Sequence, residues 1–228
     1  LKFVDWDEVP GAEPEDILLV TELCVGGTLQ QRIDDTSKGL PGREALDLLL
    51  QISSALEYLH EDGRLHSDVK PRNILIRSLE PLQAVLGDCA DIKYTWKIPD
   101  SPPRGTPAYF SPEILHFNRS RGTGDDMWAL GITMLGMVGQ WPQMKYTKEG
   151  VKIYPKECHD HVVLLKSLNR GDELVEGLLV PLLAWDVRSR MKAGECSKKA
   201  VQLRDSGKWG DGKVKLKIPE DFKPISFW

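Results

Sequence analysis

"LHSDVKPRNILI", residues 65–76, lies between two patterns that read plainly from residue type alone. Before it, "GREALDLLLQISSALEYLHEDG" sets Leu46, Leu49, Ile52, Leu56 and Leu59 at helical spacing and stops at Gly63. After it, "NILI" and "AVLGD" are short apolar runs parted by a proline-containing turn, the pattern of two strands. The loop between helix and strand gathers His66, Asp68, Lys70 and Asn73. By itself that grouping is a weak signal, so the rest of the chain has to decide what it means.

Working outward, the 228 residues suffice for a sizeable core, as one large domain or two small ones. Apolar residues make up 41% and charged residues 28%, an ordinary balance for a globular protein. The formal net charge is −4, which leaves no global basic field to recruit nucleic acid or an anionic membrane. Cys24, Cys89, Cys158 and Cys196 are widely spaced, as expected of free thiols in a reducing compartment. "ECHDH" brings Cys158, His159 and His161 together, but no second ligand cluster completes a metal site. "MWALGITMLGMVG" is too short to span a bilayer and reads as a buried helix. No signal peptide pattern opens the sequence, so the expected location is cytoplasmic or nuclear.

The N-terminal stretches "LKFVDWDEV" and "DILLVTEL" read as a strand hairpin around "PGAEPE". Thr28 is an expected N-cap for a short helix, and further helices are expected over about 112–117 and 125–138. Leu174, Leu178, Leu179, Leu182 and Leu183 share one helical face that Pro181 should kink or break. Residues 91–112 hold five prolines and read as a long loop. "KVKLKI", residues 213–218, alternates lysine with apolar residues, as a charge-protected edge strand does.

Order and distance sharpen the loop's meaning. Asp88 follows Asp68 by twenty residues at the end of an apolar strand; then come "GTPAYFSPEIL" and "GDDMWALG". Together these motifs resemble the eukaryotic protein kinase family, and within it the serine/threonine branch, over about residues 1–200. "HSDVKPRN" matches H-R-D-x-K-P-x-N, "DCA" stands for D-F-G, "SPE" for A-P-E, and "DMWALG" matches D-x-W-x-x-G. Lys70 and "GTPAY" point to the serine/threonine side. The resemblance implies an α+β, mainly helical fold: a kinase C-terminal lobe with a residual two-stranded piece of the N-terminal lobe. The divisions expected are 1–23 for the hairpin and hinge start, 24–200 for the lobe, and 201–228 for a tail.

It also implies roles. Phosphoryl transfer from ATP needs positioning and charge neutralisation more than covalent help. Asp68 would orient the incoming hydroxyl, and Lys70 would sit near the γ-phosphate as a compact positive charge. Asn73 and Asp88 would offer hard oxygen ligands to Mg²⁺. Leu75 would floor the adenine, the backbone of Glu22 and Cys24 would face its edge, and Thr21 would be the gatekeeper. Glu113 is expected to pair with Arg190, and Asp126 to anchor the backbone near His66.

Departures from the family pattern matter as much. Ser67 replaces the arginine that grips an activation-loop phosphate, Cys89 replaces the D-F-G phenylalanine, and Ala90 the glycine. The 228 residues carry no G-x-G-x-x-G and no V-A-I-K equivalent, so most of the ATP-clamping small lobe is missing from them. Two functions follow as expectations: a pseudokinase-like module that binds or scaffolds proteins, or a serine/threonine kinase whose roof comes from a partner or from upstream residues. Mg²⁺ and ATP belong to the second. The partner or substrate in either case is a protein, and oligomeric state is left open. Without the arginine, acidic replacements at Tyr94, Thr95, Ser101 or Thr106 should leave activity or partner affinity within a few fold. The "KVKLKI" strand is a candidate cover for the hairpin's open edge, the alternative being a tail laid along the helical lobe.

Overall fold

A computed structural model describes residues 2–8, 17–36, 39–96, 105–116, 122–220 and 222. The first two strands, β1 (Phe3–Glu8) and β2 (Ile17–Thr21), pair antiparallel with Trp6 opposite Leu19. Thr28 then caps α1 (Leu29–Asp35): its hydroxyl accepts from the Gln31 N–H while the Gln31 side chain accepts from the Thr28 N–H. Both satisfy donors a helix start would otherwise leave bare.

The long helix α2 (Gly42–Glu61) is the spine of the helical lobe. Leu46, Leu49, Ile52 and Leu56 are fully or almost fully buried, as their spacing predicts, and Leu59 packs against the same core. The helix gives way at Gly63, whose φ of 66° belongs to the left-handed region that glycine enters without a Cβ clash. β3 (Arg64–Leu65) follows, then the loop, then the antiparallel pair β4 (Ile74–Leu79) and β5 (Leu82–Leu86). β6 (Lys93–Tyr94) returns to pair with β3. Helices α3 (Pro112–His116) and α4 (Thr123–Met137) lie close to the expected ranges. From Asp126 through Met137 every α4 residue is buried, so this helix is the apolar centre rather than an amphipathic surface element.

Two helices were not legible as such. One is α5 (Lys148–Leu168), which carries Pro155 within it, and the other is α7 (Ala193–Asp205). Their buried faces are sparse: Tyr154, Cys158, His161, Val162 and Leu165 on α5, and Ala193, Cys196, Ala200 and Leu203 on α7. Small and polar residues at those positions blur the apolar rhythm. Of the "ECHDH" residues on α5, Cys158 is fully buried, His159 Nδ1 meets the Leu183 carbonyl at 2.8 Å, and His161 stacks on Phe222 at 4.2 Å. Burial pushes His161 down to about 4. Around Pro181 the helix widens rather than ends: a π turn over Val175–Leu179 leads directly into α6 (Val180–Leu182).

The tail corrects one expectation. Apart from a single bridge between Pro41 and Lys213, residues 213–218 form no strand, and they lie against the helical lobe instead of the hairpin. The cause is the start of α2. Its N-cap is Pro41, which has no side chain to accept a hydrogen bond, and the Gly210 and Gly212 carbonyls accept from Arg43 and Gly42 N–H at 3.1 and 2.9 Å. At the end of α5, Asn169 brackets the Lys217 backbone, donating to its carbonyl and accepting from its N–H. The alternation holds over residues 213–217, where Val214 and Leu216 pack on the core while Lys213, Lys215 and Lys217 are exposed, and it fails at Ile218, which is 45% exposed.

One continuous core runs through α2, α4, the π turn, α6 and α7, so the chain should fold without nucleotide. We expect a single cooperative thermal transition and no ANS binding in ATP-free buffer. Leu49→Ala should cost about 2–5 kcal/mol by cavity formation, read by denaturant titration. A molten, ANS-binding ground state would contradict this reading of the core.

Candidate functional site

The loop after β3 is held by one buried carboxylate from the first turn of α4. Asp126, 2% exposed, accepts from the His66 N–H, the Ser67 N–H and His60 Nε2, each at 2.9 Å. Asp126 thus anchors the loop, as expected from the sequence. Ser67 takes φ 72°, a conformation that costs a non-glycine residue about 1–2 kcal/mol. Its N–H lands on Asp126 Oδ1 only in that conformation, which offsets the strain. His66 Nε2 donates to the Gly87 carbonyl at 2.9 Å, and its Nδ1 faces the Asp68 N–H at 3.4 Å. One ring thereby ties the loop to the end of β5.

Asp68, Lys70 and Asn73 converge. Lys70 Nζ donates to Asp68 Oδ2 at 2.5 Å, and Asn73 Nδ2 donates to the same oxygen at 3.0 Å and to the Asp68 carbonyl at 2.8 Å. Thr106, across the chain, donates its N–H and hydroxyl to Asp68 Oδ1 at 3.0 and 3.1 Å and accepts from Lys70 at 2.8 Å. Burial pushes the Asp68 carboxyl up, but the Lys70 ammonium and the Thr106 and Asn73 hydrogen bonds outweigh it and hold it below its ordinary range. Thr106 was not singled out for this role. Its signal was only its place in "GTPAY", where a threonine hydroxyl can bridge a lysine and a carboxylate.

Asp88 is exposed and left-handed at φ 54°. The Gly87 N–H donates to the Asn73 carbonyl at 2.7 Å, which sets Asp88 one residue from that contact. Leu75 is half-buried on β4 and bridges to Thr28. The hinge is fastened to β4 by backbone pairs, Gly26 N–H to the Ile76 carbonyl and Ile76 N–H to the Gly27 carbonyl. A side-chain clamp, missed from sequence, adds to them: Arg77 donates to both Glu22 carboxylate oxygens at 2.6 and 2.9 Å. That guanidinium and the Lys2 N–H hold the Glu22 carboxyl below its usual range. The Glu22 N–H is taken by the Lys2 carbonyl, and the Cys24 carbonyl closes a turn with the Gly27 N–H. The Glu22 carbonyl accepts from the Thr21 hydroxyl at 3.5 Å.

Away from the hinge, a groove of about 780 Å³ opens from Lys70 and Thr106. Leu115, Trp141, Met144 and Val151 supply its apolar walls, and Tyr109 packs edge-on against Trp141 at 5.8 Å. Beneath it, Arg190 pairs with Glu113 at 2.9 and 3.2 Å, donates to the Ala184, Trp185 and Gly124 carbonyls, and lies over Trp128. The expected Glu113–Arg190 pair is thus formed, fully hydrogen-bonded, where removal of one partner would leave a buried charge.

Two outcomes are expected here. A carboxyl held low in the folded state stabilises above its unfolded value, about 3.9, and that stability is lost as pH falls through the folded value. Asp68→Asn should therefore be less stable than the parent chain at pH 7, with the gap closing below about pH 4. Stability is a separate matter from activity at Thr106, because Thr106→Glu would set a carboxylate against Asp68. It should lose about 1–3 kcal/mol, or roughly 3–10 °C in Tm, while Thr95→Glu stays within about 2 °C. Differential scanning fluorimetry reads both; Ser101 lies outside the described residues.

Comparison with known proteins bears directly on this arrangement. The protein kinase domain model matches residues 8–201. The human serine/threonine-protein kinase ULK3 is 33% identical over 194 residues, covering 84% of this chain and 36% of the relative. CDPK-related kinase 1 of Arabidopsis thaliana is 30% identical over 214 residues, covering 92% of the chain and 35% of the relative. The chain thus spans about a third of the length of these two relatives. Among solved structures, Rad53 kinase domain and SCD2 aligns with a TM-score of 0.66 at 22% identity, covering 85% of this chain and 67% of that one. The same pair in complex with AMPPNP aligns at 0.61 and 24% identity, with 79% and 67% covered. Those two likenesses speak to the fold, and the family match speaks to descent. With the anchored Asp68 loop and the buried Glu113–Arg190 pair in place, the chain belongs to the protein kinase family.

Proposed function

We propose that these 228 residues act chiefly as a protein-binding module of the serine/threonine kinase type, with phosphoryl transfer impaired when the chain is alone. The observation that carries the reading is a mismatch within one site. Asp68, Lys70 and Asn73 form a closed hydrogen-bonded set, whereas the hinge side chains Leu23 and Val25 are 82% and 77% exposed. Cys89 and Ala90, in place of the family's phenylalanine and glycine, are exposed as well.

The residues present fit a nucleotide and its metal. Asn73 commits its amide N–H₂ to Asp68, and Asp88 presents a carboxylate on an exposed turn. One amide oxygen and one carboxylate suit Mg²⁺, which takes one or two protein ligands and completes its shell with phosphates and water. Among the described residues no group of three or more His, Cys, Asp or Glu side chains could hold a metal unaided. ATP with Mg²⁺ supplies the transferable phosphoryl group. Asp68 orients the acceptor hydroxyl, and Lys70 places a positive charge beside it. Glu22 and Cys24 meet the adenine edge, and Leu75 floors it.

Magnitudes bear on how these 228 residues by themselves would hold ATP. Leaving ~100 Å² of adenine surface uncovered costs about 2.5 kcal/mol at ~25 cal/mol/Å². Losing the clamping lysine costs about 1.5–3 kcal/mol more. The two together weaken ATP by about a thousandfold. The second reading, a kinase whose roof is supplied from outside these residues, is favoured by the closed Asp68–Lys70–Asn73 set. A protein partner or substrate suits both readings. No role with nucleic acid or membrane is proposed: the chain's net charge is −4, and among the described residues no helix is long and apolar enough to cross a membrane. Its four free thiols suit a reducing compartment, cytoplasmic or nuclear.

Calorimetric titration with ATP and Mg²⁺ tests the proposal. We expect a Kd weaker than about 1 mM for the chain alone, and loss of the Mg²⁺ dependence in Asp88→Ala. A low-micromolar Kd together with measurable phosphoryl transfer by the chain alone would overturn it in favour of the enzyme.

A further inference from the structure

The groove beside Asp68 is charged in one sense only. Its lining includes Lys70, Arg72, Lys148 and Lys152 and no carboxylate, in a chain with 34 acidic and 30 basic residues. Lys70 is already committed to Asp68 and Thr106. Arg72, Lys148 and Lys152 are exposed and make no salt bridge among the described residues. Elsewhere Arg32, Arg77, Lys156, Arg188 and Lys208 each hold an acid, so what sets the groove apart is three such unpaired cations on one lining that carries no carboxylate.

Geometry turns these cations into a pattern. Arg72 stands two residues after Lys70 in the loop that carries Asp68, whereas Lys148 and Lys152 sit one turn apart on the first turns of α5. Trp141, Met144 and Val151 line the same groove as apolar wall, with Tyr146 beside them 83% exposed. A guest whose hydroxyl reaches Asp68 thus shares one groove with Arg72, the apolar residues and the two lysines. Trp141 is pinned by Tyr109, and Tyr154 donates to the Pro142 carbonyl at 3.0 Å, so the wall is preorganised.

We propose that this groove selects an extended, acidic segment of a partner protein. Aspartate or glutamate side chains flank the serine or threonine presented to Asp68, and one large apolar side chain seats against Trp141 and Met144. Charge complementarity carries the choice of occupant: a basic segment would bring like charges onto three unpaired cations. The inference rests on the reading of the chain as a kinase-type protein-binding module and adds to it the class of protein bound.

The test measures peptide binding, independently of ATP. Fluorescence anisotropy compares a labelled peptide with glutamates around a serine and one leucine, its lysine-for-glutamate and alanine-for-leucine counterparts, and its phosphoserine-for-glutamate counterpart. We expect the acidic peptide to bind at least tenfold tighter than the lysine peptide and to weaken with added salt. The Lys148→Glu/Lys152→Glu double variant should lose that preference at unchanged Tm, and Met144→Asp should lose the contribution of the leucine. Equal or tighter binding of the lysine peptide, binding of the phosphopeptide only, no binding at millimolar concentration, or indifference to the double variant would each overturn the proposal. A groove that prefers basic peptides would still leave the module reading intact, and that reading falls only with the ATP titration.

Discussion

A single buried carboxylate organises the functional half of this molecule. Asp126 carries three hydrogen bonds, from two successive backbone N–H groups and one imidazole, and is only 2% exposed. Because α4 is buried from Asp126 to Met137, the carboxylate is fixed to the most rigid element of the lobe. The loop bearing Asp68 is therefore referenced to the core rather than to its own backbone preferences. That explains how Ser67 holds a left-handed conformation, its N–H being bound by Asp126.

Three further constraints hang on that anchor. His66 passes the reference to the Gly87 carbonyl, and Gly87 passes it to Asn73, so the positions of Asp68 and Asp88 are coupled through backbone. Thr106 closes the set from the opposite segment. Arg190, held by Glu113 and three carbonyls, fixes α3 against α4 beneath the groove. Each is a buried polar network with its main partners satisfied, which favours one arrangement over many. The hinge is different: its backbone is fastened to β4, yet its apolar side chains face solvent.

The reading of the sequence succeeded where a pattern is repeated or a side chain acts locally. The leucines of α2, the capping box at Thr28 and the strand pair after Asn73 are short-range signals, and each forms as its residues dictate. It fell short on α5 and α7, whose buried stripes use Cys, His, Ala and Tyr in place of Leu. For "KVKLKI" the strand did not form, and of the two expected placements the tail takes the one along the helical lobe. Alternation reports which side chains share a face, but the tail is held by unpaired N–H groups at α2, and Pro41 alone reveals those only once the tail is seen beside it.

By itself the sequence determined the family pattern, the identity of Asp68, Lys70, Asn73 and Asp88, and the Glu113–Arg190 pair, because ordered motifs fix residue types at fixed spacings. Only the tertiary structure decided that Thr106 belongs to the Asp68 network, that Arg77 clamps Glu22, and that Arg72, Lys148 and Lys152 face one groove. Those residues are 38, 55 and up to 80 positions from their counterparts, and hydrogen bonding and charge act through distances that chain spacing does not encode.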